Sequence, residues 1–108
     1  MKKFDENYLY LENMYNDKYF PVFLVDKVRE EIIKVVNYLE EEGHTTEEIQ
    51  KKFDDMTVVI NELQEEFEEN DSEIETAARD SIGETVDYIL RYFGIDIDCE
   101  TAIRERDW

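Results

Sequence analysis

The sequence predicts an all-α fold, an up-and-down bundle of about four helices with a short C-terminal helix. Apolar residues recur every three or four positions through most of the chain. Gly occurs three times and Pro once, which leaves few breakers for the many turns of an all-β chain. The 108 residues are 42% hydrophobic, enough for one core. We therefore expect residues 1–108 to form a single helical domain.

Two helices are predicted in the first part of the chain. The first runs from Asp5 to Asn16, where three apolar residues follow helical spacing: Tyr8, Leu11 and Tyr15. The second begins at Pro21, because Pro suits a first helical turn and disfavours helical geometry in the residue before it. It ends before Gly43. Its apolar stripe starts at Leu24 or Val25 and continues through Val28, Ile32, Val35, Val36 and Leu39.

Two capping boxes predict the starts of the next two helices. Thr45 with Glu48 begins the third helix, and Ser72 with Glu75 begins the fourth, which Gly94 ends. The polar break from Asn70 to Ser72 predicts that the two helices form an antiparallel hairpin. The apolar stripe of the third is Ile49, Phe53, Met56, Ile60, Leu63 and Phe67. That of the fourth is Ile74, Ala78, Ile82, Thr85, Ile89 and Tyr92 with Phe93.

The C-terminal part of the chain predicts close packing around the fourth helix. Gly83 lies in the middle of that helix among small residues, so we expect a neighbouring helix to approach it closely. Asp98 can cap a last short helix through Ile103. Trp108 is apolar enough that we expect it to dock against the helices.

The formal charge of −18 is concentrated in the middle of the chain. Residues 37–74 contain fourteen acids and two bases, whereas residues 1–36 contain seven and six. Such a charge opposes binding to nucleic-acid phosphates and to anionic membranes. A basic protein, a cation, or water alone remains as the partner of this acidic region.

No apolar stretch approaches the length of a membrane span, and the N-terminal residues turn acidic where a signal peptide would turn apolar. We therefore expect a cytoplasmic protein. Cys99 is the only cysteine, and its neighbours Asp98 and Glu100 disfavour the thiolate, so it predicts an inert thiol.

Five aromatic residues cluster near the N-terminus, and they permit two interpretations. They are Tyr8, Tyr10, Tyr15, Tyr19 and Phe20. A ligand cup is one interpretation, but aromatics at helical spacing are more often part of a core, and we interpret them as core.

Five sequence blocks resemble a family of small acidic bacterial proteins of unknown function. The blocks are Met14-Tyr15, Tyr19-Phe20-Pro21, residues 63–67, residues 71–76 with Ala78-Arg79, and the Arg106-Asp107-Trp108 ending. The resemblance spans nearly the whole chain. It implies a bacterial origin and a single-domain architecture, and it brings no activity, ligand or catalytic residue.

A second resemblance concerns metal chemistry. Glu62 and Glu65, followed by Glu84 and Asp87, resemble the signature of all-α nucleotide pyrophosphatases, which hold Mg²⁺ between carboxylate pairs on facing helices. At about 100° per residue, however, Glu62 and Glu65 project away from the apolar stripe of their helix, as does Asp87 from its own. The spacing therefore indicates solvent-facing carboxylates, and the Mg²⁺-dependent enzyme is the alternative hypothesis.

Other catalytic sites lack a required residue. A di-iron carboxylate site needs Glu-x-x-His pairs and a nucleophilic triad needs a base, but His44 is the only histidine and follows Gly43 in a turn. We expect His44 to be exposed. Glu75 and Arg79 have the spacing of a helical ion pair, which we interpret as a surface pair beside a cap.

These patterns favour a non-enzymatic interaction protein without a cofactor. Its acidic helical face, mainly between Glu40 and Glu73, is predicted to meet a basic surface on another protein, as small immunity and inhibitor proteins do. The candidate partner-binding residues are Glu62, Glu65, Glu66, Glu69 and Glu73.

Overall fold

The computed structural model describes residues 2–108 and confirms the all-α fold. Helices make up the regular structure of this part of the chain, which contains no strand. The helices are α1 (Glu12–Tyr15), α2 (Val22–Glu40), α3 (Thr46–Glu69), α4 (Thr76–Tyr92) and α5 (Cys99–Ala102). Buried apolar side chains from all five join one hydrophobic cluster. The Cα radius of gyration of 13.5 Å is that of a compact chain of this length.

The two longest helices, α2 and α3, pack against each other as antiparallel neighbours. Lys27 near the start of α2 pairs with Glu66 near the end of α3, with 2.6 Å between Nζ and Oε1. The capping box at the start of α3 is confirmed. The Glu48 amide donates to Thr45 Oγ1 at 3.1 Å, and the Thr45 amide donates to Glu48 Oε1 at 2.8 Å.

The predicted first helix is mostly irregular, since only Glu12–Tyr15 is helical. Asp5 Oδ1 accepts from the Asn7 amide at 2.9 Å, a local turn that competes with helix formation. The rings of Phe4 and Tyr8 pack instead on α4, with Tyr8 stacked on Tyr88 at 4.3 Å between centroids. Aromatic packing on α4 thus outweighs the helical spacing of this segment.

Ser72 does not cap α4, so the second predicted capping box is wrong. The Ser72 amide donates to the carbonyl of Phe67 at 2.9 Å, and the Asp71 amide donates to the carbonyl of Glu68 at 3.2 Å. With Asp71 at φ 58°, these bonds form a Schellman motif that ends α3. α4 begins only at Thr76, and its N-cap Glu75 makes no side-chain capping bond.

α3 and α4 do not pack directly on each other as closely as the predicted antiparallel hairpin requires. The C-terminal segment and α5 contact both helices instead. The helices that α4 contacts most extensively are α1 and α5. Gln50 of α3 donates to the carbonyl of Thr101 at 2.9 Å, and Cys99 Sγ donates to the carbonyl of Gly83 at 3.3 Å. Trp108 is buried at 9% exposure, which confirms the predicted docking.

The C-terminal segment is fixed along α3 by polar side chains. The Asn61 side chain donates to the carbonyl of Glu105 at 2.8 Å and accepts from the amide of Asp107 at 3.1 Å. Arg104 pairs with Asp54 at 2.8 Å. This side of α3 is therefore covered, and its opposite side faces α2.

Candidate acidic interface

Two acidic residues from each of α2 and α3 line a shared surface groove of about 370 Å³. On α2, Glu30 and Glu31 share one side of the helix with Lys27; on α3, Glu62 and Glu66 are four positions apart and so share a face. Apolar side chains complete the lining: Val59 and Leu63. The term "α2–α3 groove" refers to these residues below.

Cations neutralise part of the α2–α3 groove. Lys27 pairs with Glu66 as described, and Lys34 Nζ lies 2.7 Å from Glu31 Oε2. Within residues 2–108, Glu30 and Glu62 have no cationic partner at ion-pair distance. The groove therefore retains two exposed carboxylates available to an external cation.

The structure brings together only some of the predicted partner-binding residues. Glu62 and Glu66 line the α2–α3 groove, while Glu65 and Glu69 are exposed on the α3 surface and Glu73 is exposed beyond its end. Sequence reasoning missed Glu30 and Glu31, because it treated the acidic face as a property of residues 40–73 alone. Their three- and four-residue spacing from Lys27 was the available signal.

The four carboxylates of the Mg²⁺ hypothesis do not form a metal-binding group. Glu62, Glu65 and Glu84 are exposed, and Asp87 Oδ2 accepts from Arg91 Nε at 2.9 Å. Across residues 2–108, no three His, Cys, Asp or Glu side chains are grouped so as to hold a metal ion. The geometry thus gives the pyrophosphatase hypothesis no support.

His44 is not the exposed loop residue that we expected. Its imidazole stacks on the Tyr38 ring with 3.7 Å between centroids, and its side chain is only 19% exposed. The turn at Gly43, with φ 91°, returns the chain over α2 and so places His44 on Tyr38. Its Nε2 lies 3.5 Å from Glu41 Oε2, and no catalytic triad forms around it among residues 2–108.

The Arg79 side chain binds the C-terminal segment and does not pair with the Glu75 side chain. Its Nε donates to the main-chain oxygen of Trp108 at 3.1 Å. Glu75 contacts it through the backbone, where the Arg79 amide donates to the Glu75 carbonyl at 2.8 Å. No side-chain ion pair joins the two in the described part of the chain, so the predicted surface pair is replaced by a tail contact.

The aromatic residues near the N-terminus are mainly part of the packing, as expected, but Tyr19 is an exception. Phe20 is buried, and Tyr15 Oη donates to Asp26 Oδ1 at 2.5 Å. Burial first, and then this hydrogen bond, raises the pKa of Tyr15 to about 12. Tyr19 is 40% exposed and so does not belong to the core.

The surroundings of Cys99 disfavour its thiolate form. Its Sγ donates a hydrogen bond to the Gly83 carbonyl. Burial, followed by the carboxylates of Asp87 and Glu100, raises the pKa of the thiol.

Among residues 2–108, none of the helices combines the length and the apolar character that a membrane span requires.

Comparison with known proteins gives a family and no activity. A family model described as "Family of unknown function (DUF5713)" matches residues 4–108, which confirms the resemblance to a family of unknown function. No curated protein and no solved structure matches the chain.

Proposed function

The chain belongs to the DUF5713 family, and we propose that it is a non-enzymatic protein that binds a basic surface of another protein through its acidic helical face. We define the acidic face as the α2–α3 groove together with Glu65, Glu69 and Glu73. The observation that carries the proposal is the groove, where two antiparallel helices each direct carboxylates toward the same space.

The groove suits Lys or Arg side chains of a protein better than a free metal ion. Glu30 and Glu62 have no cationic partner among the described residues, and apolar Val59 and Leu63 can contact the methylene chain of an inserted Lys. The exposed carboxylates beyond the groove extend the negative field along α3. A basic protein surface can therefore add contacts that a small cation cannot.

The net charge explains why such binding depends on salt. A charge of −18 accelerates encounter with a basic partner and opposes nucleic acids. Because the Debye length is about 8 Å at 0.15 M salt, this advantage falls as ionic strength rises. Small acidic proteins that inhibit an enzyme by covering its basic active site use the same physics, and we place this chain in that class by analogy.

The proposal is tested by affinity capture from cell lysate at low and high salt. We expect the wild-type chain to capture basic proteins that elute at a few hundred millimolar salt. A variant with four Gln replacements, at Glu62, Glu65, Glu66 and Glu69, should lose them while its helical circular dichroism spectrum persists.

A matched control keeps the same net charge but changes acids elsewhere. Its four Gln replacements are at exposed Glu6, Glu12, Glu84 and Glu105, which lie outside the acidic face. This control should retain the captured proteins. If both variants lost the captured proteins equally, capture would depend on overall charge and not on the position of the acids. If both variants retained them, the acidic face would be refuted as the binding surface.

A further inference from the structure

Three of the exposed large apolar side chains lie within five consecutive residues. Tyr19, Val22 and Phe23 are 40%, 59% and 51% exposed, and the other two large apolar side chains left exposed among residues 2–108 are Leu9 and Val58. We refer to Tyr19, Val22 and Phe23 as the first-turn patch. Single exposed apolar side chains are normal on a surface, and the grouping of these three along the chain sets them apart.

The first-turn patch exists because α2 buries other residues of its first turns. Leu24 and Val25 are fully buried in the core, so Val22 and Phe23, which precede them on the helix, remain outside. Pro21 fixes the backbone where α2 begins, with φ −60°. The patch is thus held on a rigid helical start rather than on a mobile loop.

Carboxylates of the acidic face lie next to the first-turn patch. Phe20 contacts Phe67 at 6.5 Å between ring centroids, and Lys27 pairs with Glu66, so the start of α2 lies beside the end of α3. Glu69 and Glu73 are exposed at that same end of α3. Partial burial, and then the nearby carboxylates of Glu73 and Glu75, raise the pKa of the Tyr19 phenol.

We propose that the first-turn patch and the end of α3 together dock an amphipathic basic segment of a partner protein. Its apolar side chains cover Tyr19, Val22 and Phe23, and its Lys and Arg side chains pair with Glu69 and Glu73. This inference rests on the proposed function and deepens it, since it requires the binding segment of the partner to be apolar on one side as well as basic.

Charge complementarity selects this occupant over a second copy of the chain. Two copies would bring two formal charges of −18 together, with acidic residues beside both patches. A basic amphipathic segment instead removes apolar area from water while neutralising those residues. The patch alone would not distinguish a partner, but the patch and the carboxylates together do.

The test uses two synthetic peptides as probes. One is an amphipathic helical peptide of Leu and Lys, and the other has the same length and charge with Ser in place of Leu. Binding is measured by fluorescence anisotropy to the full chain, to the Val22→Ser/Phe23→Ser variant, and to Val58→Ser. Val58 is a matched control, because it is also exposed at 43% but lies on α3 outside the patch.

We expect the Leu-Lys peptide to bind the wild-type chain roughly tenfold or more tightly than the Ser-Lys peptide. The Val22→Ser/Phe23→Ser variant should bind both peptides equally, and Val58→Ser should behave as wild type. Circular dichroism is used to check that the variants remain folded; the substituted side chains are exposed, so we expect them to.

The outcomes separate this inference from the proposed function. Equal binding of both peptides, lost at high salt, would overturn the docking patch and leave the acidic face standing. Preference for the Leu-Lys peptide without any salt dependence would leave the patch as a purely apolar site, and would overturn both the acidic face and the pairing of the segment with Glu69 and Glu73. No binding of either peptide would overturn both. A dimer at high salt that Val22→Ser/Phe23→Ser dissociates would assign the patch to self-association and overturn the inference.

Discussion

Gly83 lies in the middle of α4, where the structure leaves room for a side chain. A Cβ at this position would lie 3.8 Å from Cys99 Sγ, an ordinary van der Waals distance, and its backbone has no positive φ. We therefore expect Gly83→Ala to raise the free energy of unfolding by about 0.5–1 kcal/mol, through the lower entropy of the unfolded chain. Urea denaturation measures this change.

Gly94 provides the opposite control. Its φ of +65° belongs to the Schellman motif that ends α4, and nothing lies within 4 Å of a Cβ built there. Gly94→Ala should therefore lower the free energy of unfolding by about 1 kcal/mol through backbone strain alone. Destabilisation by Gly83→Ala would show that α4 and α5 pack more tightly than the structure indicates.

Asp71 has a left-handed backbone, at φ 58°, in the position after α3 where Gly is preferred. Its carboxylate also lies at a helix C-terminus, where the helix dipole disfavours negative charge. We expect Asp71→Gly to raise the free energy of unfolding by about 0.5–1 kcal/mol. Asp71→Asn separates the two causes, since it removes the charge while tolerating the same φ. A lower stability for Asp71→Gly than for Asp71→Asn would contradict the strain argument.

At the scale of helical elements, two residues with the same predicted role should respond oppositely to substitution. Thr45→Ala removes the hydroxyl oxygen that accepts from the Glu48 amide at the start of α3, and should lower the free energy of unfolding by about 1 kcal/mol. Ser72 is buried, and its hydroxyl makes no hydrogen bond within residues 2–108. Ser72→Ala should therefore be neutral or stabilising, because it removes an unsatisfied polar group. Thermal unfolding of both variants tests this; a loss for Ser72→Ala similar to that for Thr45→Ala would restore the capping role.

The same two residues show how far the sequence predicts these elements. Thr45 and Glu48 precede a long apolar stripe, so local pattern and tertiary packing agree and α3 begins where predicted. Ser72 fits a capping box equally well, but its amide is used to terminate α3. A four-residue pattern does not reveal which of two adjacent helices will use a shared residue.

Tertiary contacts decide the remaining differences. The helical spacing of Tyr8, Leu11 and Tyr15 is real, yet Leu11 adopts φ 54° and the aromatic rings pack on α4. The α2–α3 groove likewise requires Glu30 and Glu31, whose position opposite Glu62 and Glu66 follows from helix pairing. The α3 side of the groove was therefore predicted from the sequence and the α2 side was not. The register between two packed helices cannot be read from the pattern of either helix alone.

For the whole molecule, exposed carboxylates imply a general response to cations. If no metal site is formed, NaCl and MgCl₂ should both raise the melting temperature modestly by screening self-repulsion among the acids. Glu65→Gln and Asp87→Asn should leave this response unchanged. Saturable stabilisation by micromolar Mg²⁺, lost in either variant, would instead support the Mg²⁺-dependent enzyme, and turnover of a nucleoside triphosphate would support it directly.

The central claim concerns the field of the whole molecule: the acidic face accelerates association with a basic partner. The most direct measurement is the association rate of a captured partner as a function of salt, by stopped-flow fluorescence. We expect the association rate of the wild-type chain to fall steeply as salt is raised. The variant with Gln at Glu62, Glu65, Glu66 and Glu69 should associate several-fold more slowly at low salt, and its rate should depend less steeply on salt. The control variant, with Gln at Glu6, Glu12, Glu84 and Glu105, should keep the larger part of the wild-type rate and slope. An unchanged rate and salt slope in the acidic-face variant would contradict the claim.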